Sequence, residues 1–265
     1  MALSAGIDRE QWTAVIPAAG KGSRLGFDKP KILYPVAGRT MLDWIVDFLE
    51  PYCGTLVFVL SPSGADSVEQ ALRERGVAFR TAIQETPTGM GDAVSLGLAQ
   101  VSSPHVAIVW GDQAVLRRES VEKCLRVHTR QAHPADATVP TVMRAAPYIH
   151  FERDSHGKLV GLRQAREGDI MPAIGESDTG FFCFRTRVLR KALDELRGSG
   201  VIGRQTREFN MLPAIPLIAQ TGRVLTPQAI TPEETIGVNS VEDAELVAQI
   251  LGERHRSMLP LSKVA

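Results

Sequence analysis

The sequence predicts a three-layer α/β/α fold with a mostly parallel, twisted central sheet and an inserted mixed sheet, and three observations point to it. Short apolar segments alternate with helical ones through the first 143 residues. Those apolar segments are nearly unbroken runs of β-branched and small residues, as strands covered on both faces require. After about residue 144 the rhythm changes to strands separated by polar turns, the pattern of an insertion rather than of further wound units.

In chain order, strands are expected at 13–19, 56–61, 77–84, 106–111 and 135–142, each bounded by turn residues. The helix at 40–49 opens on Thr40 as a cap and sets Met41, Trp44, Ile45 and Phe48 on one face; 67–75, 91–101 and 118–131 are similarly periodic. Strands joined by helices imply right-handed crossovers and parallel pairing. The inserted sheet takes 148–153, 158–164 and 179–185, and helices return at 188–197, 209–219 and 241–253, with a short strand at 223–226. No Pro-, Gly- or Ser-rich linker divides the chain, so one domain is expected, with a first half at 11–143, a second at 144–251 and a tail at 252–265 that frays or covers a partner subunit. A homo-oligomer stays open.

The 265 residues, 44% hydrophobic and 23% charged, suffice for a sizeable core. Thirty basic side chains balance thirty acidic ones, so no overall positive field exists to hold nucleic acid or an anionic membrane, and any anionic partner should be small. The longest apolar runs, 56–60 and 106–110, are far below the roughly 20 residues of a membrane-spanning helix. Cys53, Cys124 and Cys183 form no C-x-x-C pair, and residues 1–11 lack a signal-peptide pattern; a cytoplasmic protein is expected. The histidines show no metal-ligand spacing, the nearest being His128 and His133.

The chemistry concentrates after the first strand. Pro17-Ala18-Ala19-Gly20-Lys21-Gly22-Ser23-Arg24 forms a glycine-rich turn in which backbone N–H groups can approach phosphate oxygens without interference from Cβ atoms. Lys21, Arg24, Lys29 and Lys31 supply enough positive charge to neutralise a triphosphate, and the end of a first parallel strand is where open α/β sheets bind ligands. A surface loop with solvated lysines is the structural alternative. The dinucleotide pattern G-x-G-x-x-G fails at Leu25, and no Walker A sequence occurs.

The turn, with Pro30-Lys31 and then Val36-Ala37-Gly38-Arg39-Thr40-Met41-Leu42, resembles the signature of nucleoside-triphosphate transferases of the GT-A type. Within them it is most similar to the uridylyltransferase domains that activate N-acetylglucosamine 1-phosphate. Residues 84–93, Gly111-Asp112, Asp178-Thr179-Gly180 and Gly237-Val238-Asn239 continue the likeness over about residues 13–250. The hexapeptide-repeat acetyltransferase domain of that family is not expected after Leu251.

The resemblance implies that Arg24 and Lys31 stabilise the triphosphate and the charge developing at its α-phosphate, while the backbone of 18–20 holds base and phosphates. It further implies that Gln84 and Gly89 read the nucleobase, that Asp112 and Asn239 hold Mg²⁺ through oxygen, and that Gln164, Arg166 and Asp178 face the acceptor. As structural alternatives, Gln84 ends an edge strand, Asp112 terminates its strand, Asn239 caps the last helix, and Arg163, Arg166 and Asp178 form a solvated sheet edge.

Gln164 and Asp178 stand where those sugar-binding enzymes carry glutamate and asparagine, so a different acceptor pattern is expected. The activity implied is Mg-dependent condensation of a nucleoside triphosphate, UTP or dTTP before others, with a sugar 1-phosphate or similar monoester, releasing pyrophosphate.

A sugar-alcohol-phosphate cytidylyltransferase shares the opening motif but should carry D-A-A-R-P where Gly111-Asp112-Gln113-Ala114-Val115 stands. The guanylyltransferases of molybdenum cofactor carry L-A-G-G in place of Pro17-Ala18-Ala19-Gly20. A non-catalytic nucleotide-sensing module is the alternative of another class, and a GT-A glycosyltransferase is disfavoured because Asp112 lacks a D-x-D context.

Overall fold

In the computed structural model, which describes residues 6–130 and 134–258, the central strand β1 (Trp12–Pro17) is buried at every position. A small hairpin follows, β2 (Pro35–Val36) with β3 (Arg39–Thr40), leading into α1 (Met41–Leu49). Thr40 caps that helix in a reciprocal box with Asp43, as its sequence pattern predicts. The wound units continue with β4 (Thr55–Leu60), α2 (Ala65–Arg75), β5 (Phe79–Ile83), α3 (Met90–Leu98), β6 (His105–Val109), α4 (Arg118–Thr129) and β7 (Ala137–Thr138). The second half supplies β8 (Thr141–Ala145), β9 (Ile149–Arg153), β10 (Leu159–Gln164), β11 (Ile174–Asp178), β12 (Phe181–Arg185), α5 (Thr186–Gly198), α6 (Ala214–Thr221), β13 (Val224–Leu225) and α7 (Val241–Met258). Residue 133, the histidine nearest His128 in sequence, and the tail from 259 lie outside the described residues.

The seven-stranded sheet runs β13-β7-β12-β6-β1-β4-β5, with β12 alone antiparallel to its neighbours. The mostly parallel three-layer fold is therefore as expected, with one correction. The apolar strand at 179–185 belongs to the central sheet and not to the insertion. The reason is its composition: Phe181, Phe182, Cys183 and Phe184 are all fully buried, which only a strand covered on both faces allows. The insertion consists of two antiparallel pairs, β9–β10 and β8–β11.

Alternation builds the layers. Val15, Val57, Val59, Val106, Ile108, Phe182 and Phe184 face one core with α3, α5 and α6. Ala14, Ile16, Leu56, Phe58, Leu60, Ala107, Val109 and Phe181 face the other with α1, α2 and α4. On the first side α3 sits close: a Cβ on Gly97 would come within 2.4 Å of Val15 Cγ1. A third cluster joins α7 to the glycine-rich turn, with Leu25 against Val115, Val238, Val247 and Leu251.

Candidate active site

The carboxyl ends of β1 and β6 meet at the floor of the site. Gly111 N–H donates to Pro17 O (3.2 Å), and a Cβ on Gly111 would lie 2.6 Å from that oxygen, so only glycine permits the approach. Gly22 and Gly26, both left-handed (φ +66° and +58°), bracket a single 3₁₀ turn, Ser23–Leu25. The turn buries Leu25 and leaves Lys21, Ser23 and Arg24 exposed. The chain then folds back so that Lys31 N–H donates to Gly20 O (3.1 Å), with Gly22 packed against the Lys31 stem.

Lys31 reaches across the sheet ends. Its Nζ donates to Asp112 Oδ2 at 2.9 Å and to Asn239 Oδ1 at 2.8 Å. The segment bearing Asn239 is pinned by Val238 N–H donating to Asp112 O (3.0 Å). Ser240, not Asn239, accepts from Asp243 N–H at the start of α7 (3.2 Å), while the Asp243 carboxylate accepts from the N–H groups of Asn239 and Ser240. The Asn239 side chain is thereby released from capping. Two hard oxygen donors converge on one cationic point, a donor set that suits a divalent ion completed by phosphate oxygens and water. Among the described residues no cluster of three or more His, Cys, Asp or Glu suited to a metal occurs.

A cleft of about 370 Å³ runs from this point. Pro17, Ala18, Ala19, Gly20, Lys31, Gln84, Gly89 and Asp112 all line it. Gln84 is buried and donates through Nε2 to Gly89 O at 3.1 Å. Gly89 adopts φ +124° and backs onto Phe209 O, which a Cβ would approach to 2.3 Å. Lys21, Gly22, Ser23 and Arg24 stand on the loop beyond the lining residues. A larger cavity, about 800 Å³, lies at the opposite ends of β1 and β6 beside Trp12 and His105, away from every residue of the turn.

The residues expected on the acceptor side separate. The Asp178 carboxyl is raised by burial, with a further push from Asp112, against the Gly180 N–H (2.9 Å) and Arg144. Arg166 pairs with Glu208, which itself lines the cleft. Gln164 is buried, accepts from Asn210 Nδ2 (2.6 Å) and lines a separate pocket of about 180 Å³. Glu167, beside it, is held down at a pKa of about 2: burial opposes its charge, but the Thr206 hydroxyl, the N–H groups of Gln205 and Thr206, and Arg166 outweigh that.

A family model of MobA-like NTP transferase domains matches residues 14–210. The chain belongs to this family. It is 30% identical over 229 residues to the bifunctional protein GlmU of Carboxydothermus hydrogenoformans, covering 85% of this chain and 49% of that protein. GlmU of Exiguobacterium sp. is 32% identical over 234 residues, with 85% and 49% covered. The chain thus spans about half the length of the curated relatives it matches. A UDP-glucose pyrophosphorylase, solved with UDP-glucose, shares the fold with a TM-score of 0.69 at 14% identity, over 91% of this chain and 98% of that one.

In this MobA-like NTP transferase domain Asn239 falls beyond the matched span, so one of the two oxygens at the cation point comes from the C-terminal helix region. Sequence reasoning did not place Trp110, Pro87 or Met90 on the cleft wall, and all three line it. Trp110 was legible in principle, standing at a strand end one residue before Gly111.

Proposed function

We propose that the chain is a Mg-dependent nucleotidyltransferase that joins a nucleoside triphosphate, UTP or dTTP before others, to a sugar 1-phosphate or similar monoester. The observation that carries this reading is the convergence of Lys31, Asp112 and Asn239 at the mouth of the cleft beside the glycine-rich turn. In the step, an oxygen of the acceptor phosphate bonds to the α-phosphorus. The bond to the β-bridging oxygen breaks, and pyrophosphate leaves with the electron pair.

The acceptor monoester, with a second pKa of about 6, is already ionised at neutral pH, so no general base is needed. Mg²⁺ on Asp112 and Asn239 would supply charge neutralisation and alignment of the phosphates. Lys31 and Arg24 stabilise charge on the triphosphate as it builds, Arg24 from a loop whose exposure lets it close over the ligand. Gln84 and Gly89 bind the base, and Ala18, Ala19 and Gly20 offer backbone to base and phosphates. Residues 11–143 form the nucleotide-binding half and 144–251 the acceptor half.

Asp178, whose raised carboxyl lies within the field of Asp112, faces the acceptor, with Arg166 and Glu208 at the outer rim. Gln164 supports that rim through Asn210. Three buried free thiols fit a reducing cytoplasm. Among the described residues no helix is long and apolar enough to cross a membrane.

Pyrophosphate release, measured with Mg²⁺ across the four nucleoside triphosphates, dTTP and a panel of sugar 1-phosphates and other monoesters, tests the proposal. Release with a uridine or thymidine nucleotide is expected. Release confined to CTP shifts the assignment to a cytidylyltransferase, and nucleotide binding without release under any pairing supports a sensing module instead.

A further inference from the structure

We infer that Asp92 is a positioning residue that sets which end of the Gln84 amide faces the nucleobase, and so favours a pyrimidine with a ring N–H over one with a bare ring nitrogen. The inference rests on the nucleotidyl reading above. Gln84 Nε2 donates to Gly89 O at 3.1 Å and lies 3.4 Å from Asp92 Oδ2. Both partners are acceptors only. Turning the amide over would set its oxygen against a carbonyl and a carboxylate, so the chemistry of the partners dictates the orientation. The amide oxygen is the end left to a ligand in the cleft.

The carboxylate that imposes this choice is itself held in place from two sides. Thr88 Oγ1 donates to Asp92 Oδ2 at 2.7 Å, and Arg197, on α5 in the other half of the molecule, donates to Oδ1 at 3.1 Å. Arg197 also lies over the Phe209 ring at 4.6 Å. Phe209 in turn donates to Thr88 O and accepts from Gly91 N–H, each at 2.9 Å. Burial works against the Asp92 charge, but the bonds from Thr88, Arg197 and Gln84 keep its carboxyl below the usual range, an acceptor at neutral pH. Asp92 thus has no cleft contact of its own and acts through Gln84.

A fixed acceptor at Gln84 suits the N3–H of uracil or thymine and opposes the N3 lone pair of cytosine. Equilibrium titration of UTP and CTP, each with Mg²⁺, into the wild-type chain, Asp92→Leu, Asp92→Ser and Arg197→Leu reads this out. The wild type should bind UTP more tightly. Both Asp92 variants should lower the UTP-to-CTP affinity ratio about tenfold, the scale of one hydrogen bond gained or lost, because only the Gly89 carbonyl then opposes the turned amide. Arg197→Leu should lower the melting temperature while keeping the ratio within about threefold, since the Asp92 acceptor persists.

An unchanged ratio in a folded Asp92 variant, or equal weakening of both nucleotides, overturns the inference. So does a wild type that prefers CTP, which would leave the transferase reading standing. A wild type that binds no nucleoside triphosphate overturns both.

Discussion

Lys31 is the side chain on which the site closes, because one ammonium satisfies two oxygens that stand 81 and 208 residues away from it in sequence. Arg24 is its opposite, an exposed cation on a glycine-bracketed turn. Replacing Arg24 by alanine should therefore leave the melting temperature unchanged and reduce kcat about 100-fold or more, the scale of losing one preorganised charge at a transition state; pyrophosphate release and a thermal melt check the two halves. At this scale the sequence was informative where chemistry is written in runs. Pro17 to Arg24 and Lys31 announce themselves through glycine and cation spacing. Gln84 and Asn239 became visible only by resemblance, since a lone amide at an element end reads equally well as a cap. Asp92 carried no signal of its own, because part of its meaning lies in Arg197, which the fold brings from elsewhere.

Helices and strands were legible in proportion to how far local pattern governs them. The box of Thr40 and Asp43 starts α1 where its sequence says, and Thr40→Ala should cost about 1 kcal/mol in urea denaturation. The expected helix at 209–219 begins only at Ala214, because Phe209 spends its backbone on Thr88 and Gly91. Pro140 interrupts the expected strand at 135–142, dividing β7 from β8. The strand Ile174–Asp178 went unread because Gly175, Glu176 and Ser177 offer no apolar run. Gly97 shows what pattern conceals: it looks like a weak point within α3, yet it is the place where the helix rests on β1 and β4. Gly97→Ala should destabilise the fold by about 1–3 kcal/mol through overpacking, despite alanine's better helix propensity, as chemical denaturation would show.

For the molecule as a whole, the layers follow from alternation, but the antiparallel insertion of β12 between β6 and β7 could not be read from its own residues. The end of the sheet opposite the cleft sets an acid limit on stability. His128 is buried beside Trp12 and His105, bonded to Thr138 Oγ1 at 3.0 Å. Burial first, then the charges of His105 and Arg185, push its pKa down to about 3. The unfolded chain binds that proton near pH 6.5. The contribution is therefore complete above pH 6.5 and is lost at up to about 1.4 kcal/mol per pH unit as pH falls toward 3. Urea titrations at pH 7, 5 and 4 should show a shallower acid decline in His128→Gln than in the wild type.

The helix α7 follows every strand of the sheet in chain order, yet the segment leading into it carries Asn239 and its own face supports Leu25 beneath the turn. During synthesis on the ribosome every strand of the sheet is thus made before Asn239 is added. A chain truncated after residue 235 should hold a protease-resistant core while failing to retain nucleotide, so competence arrives in a single late event rather than growing with length.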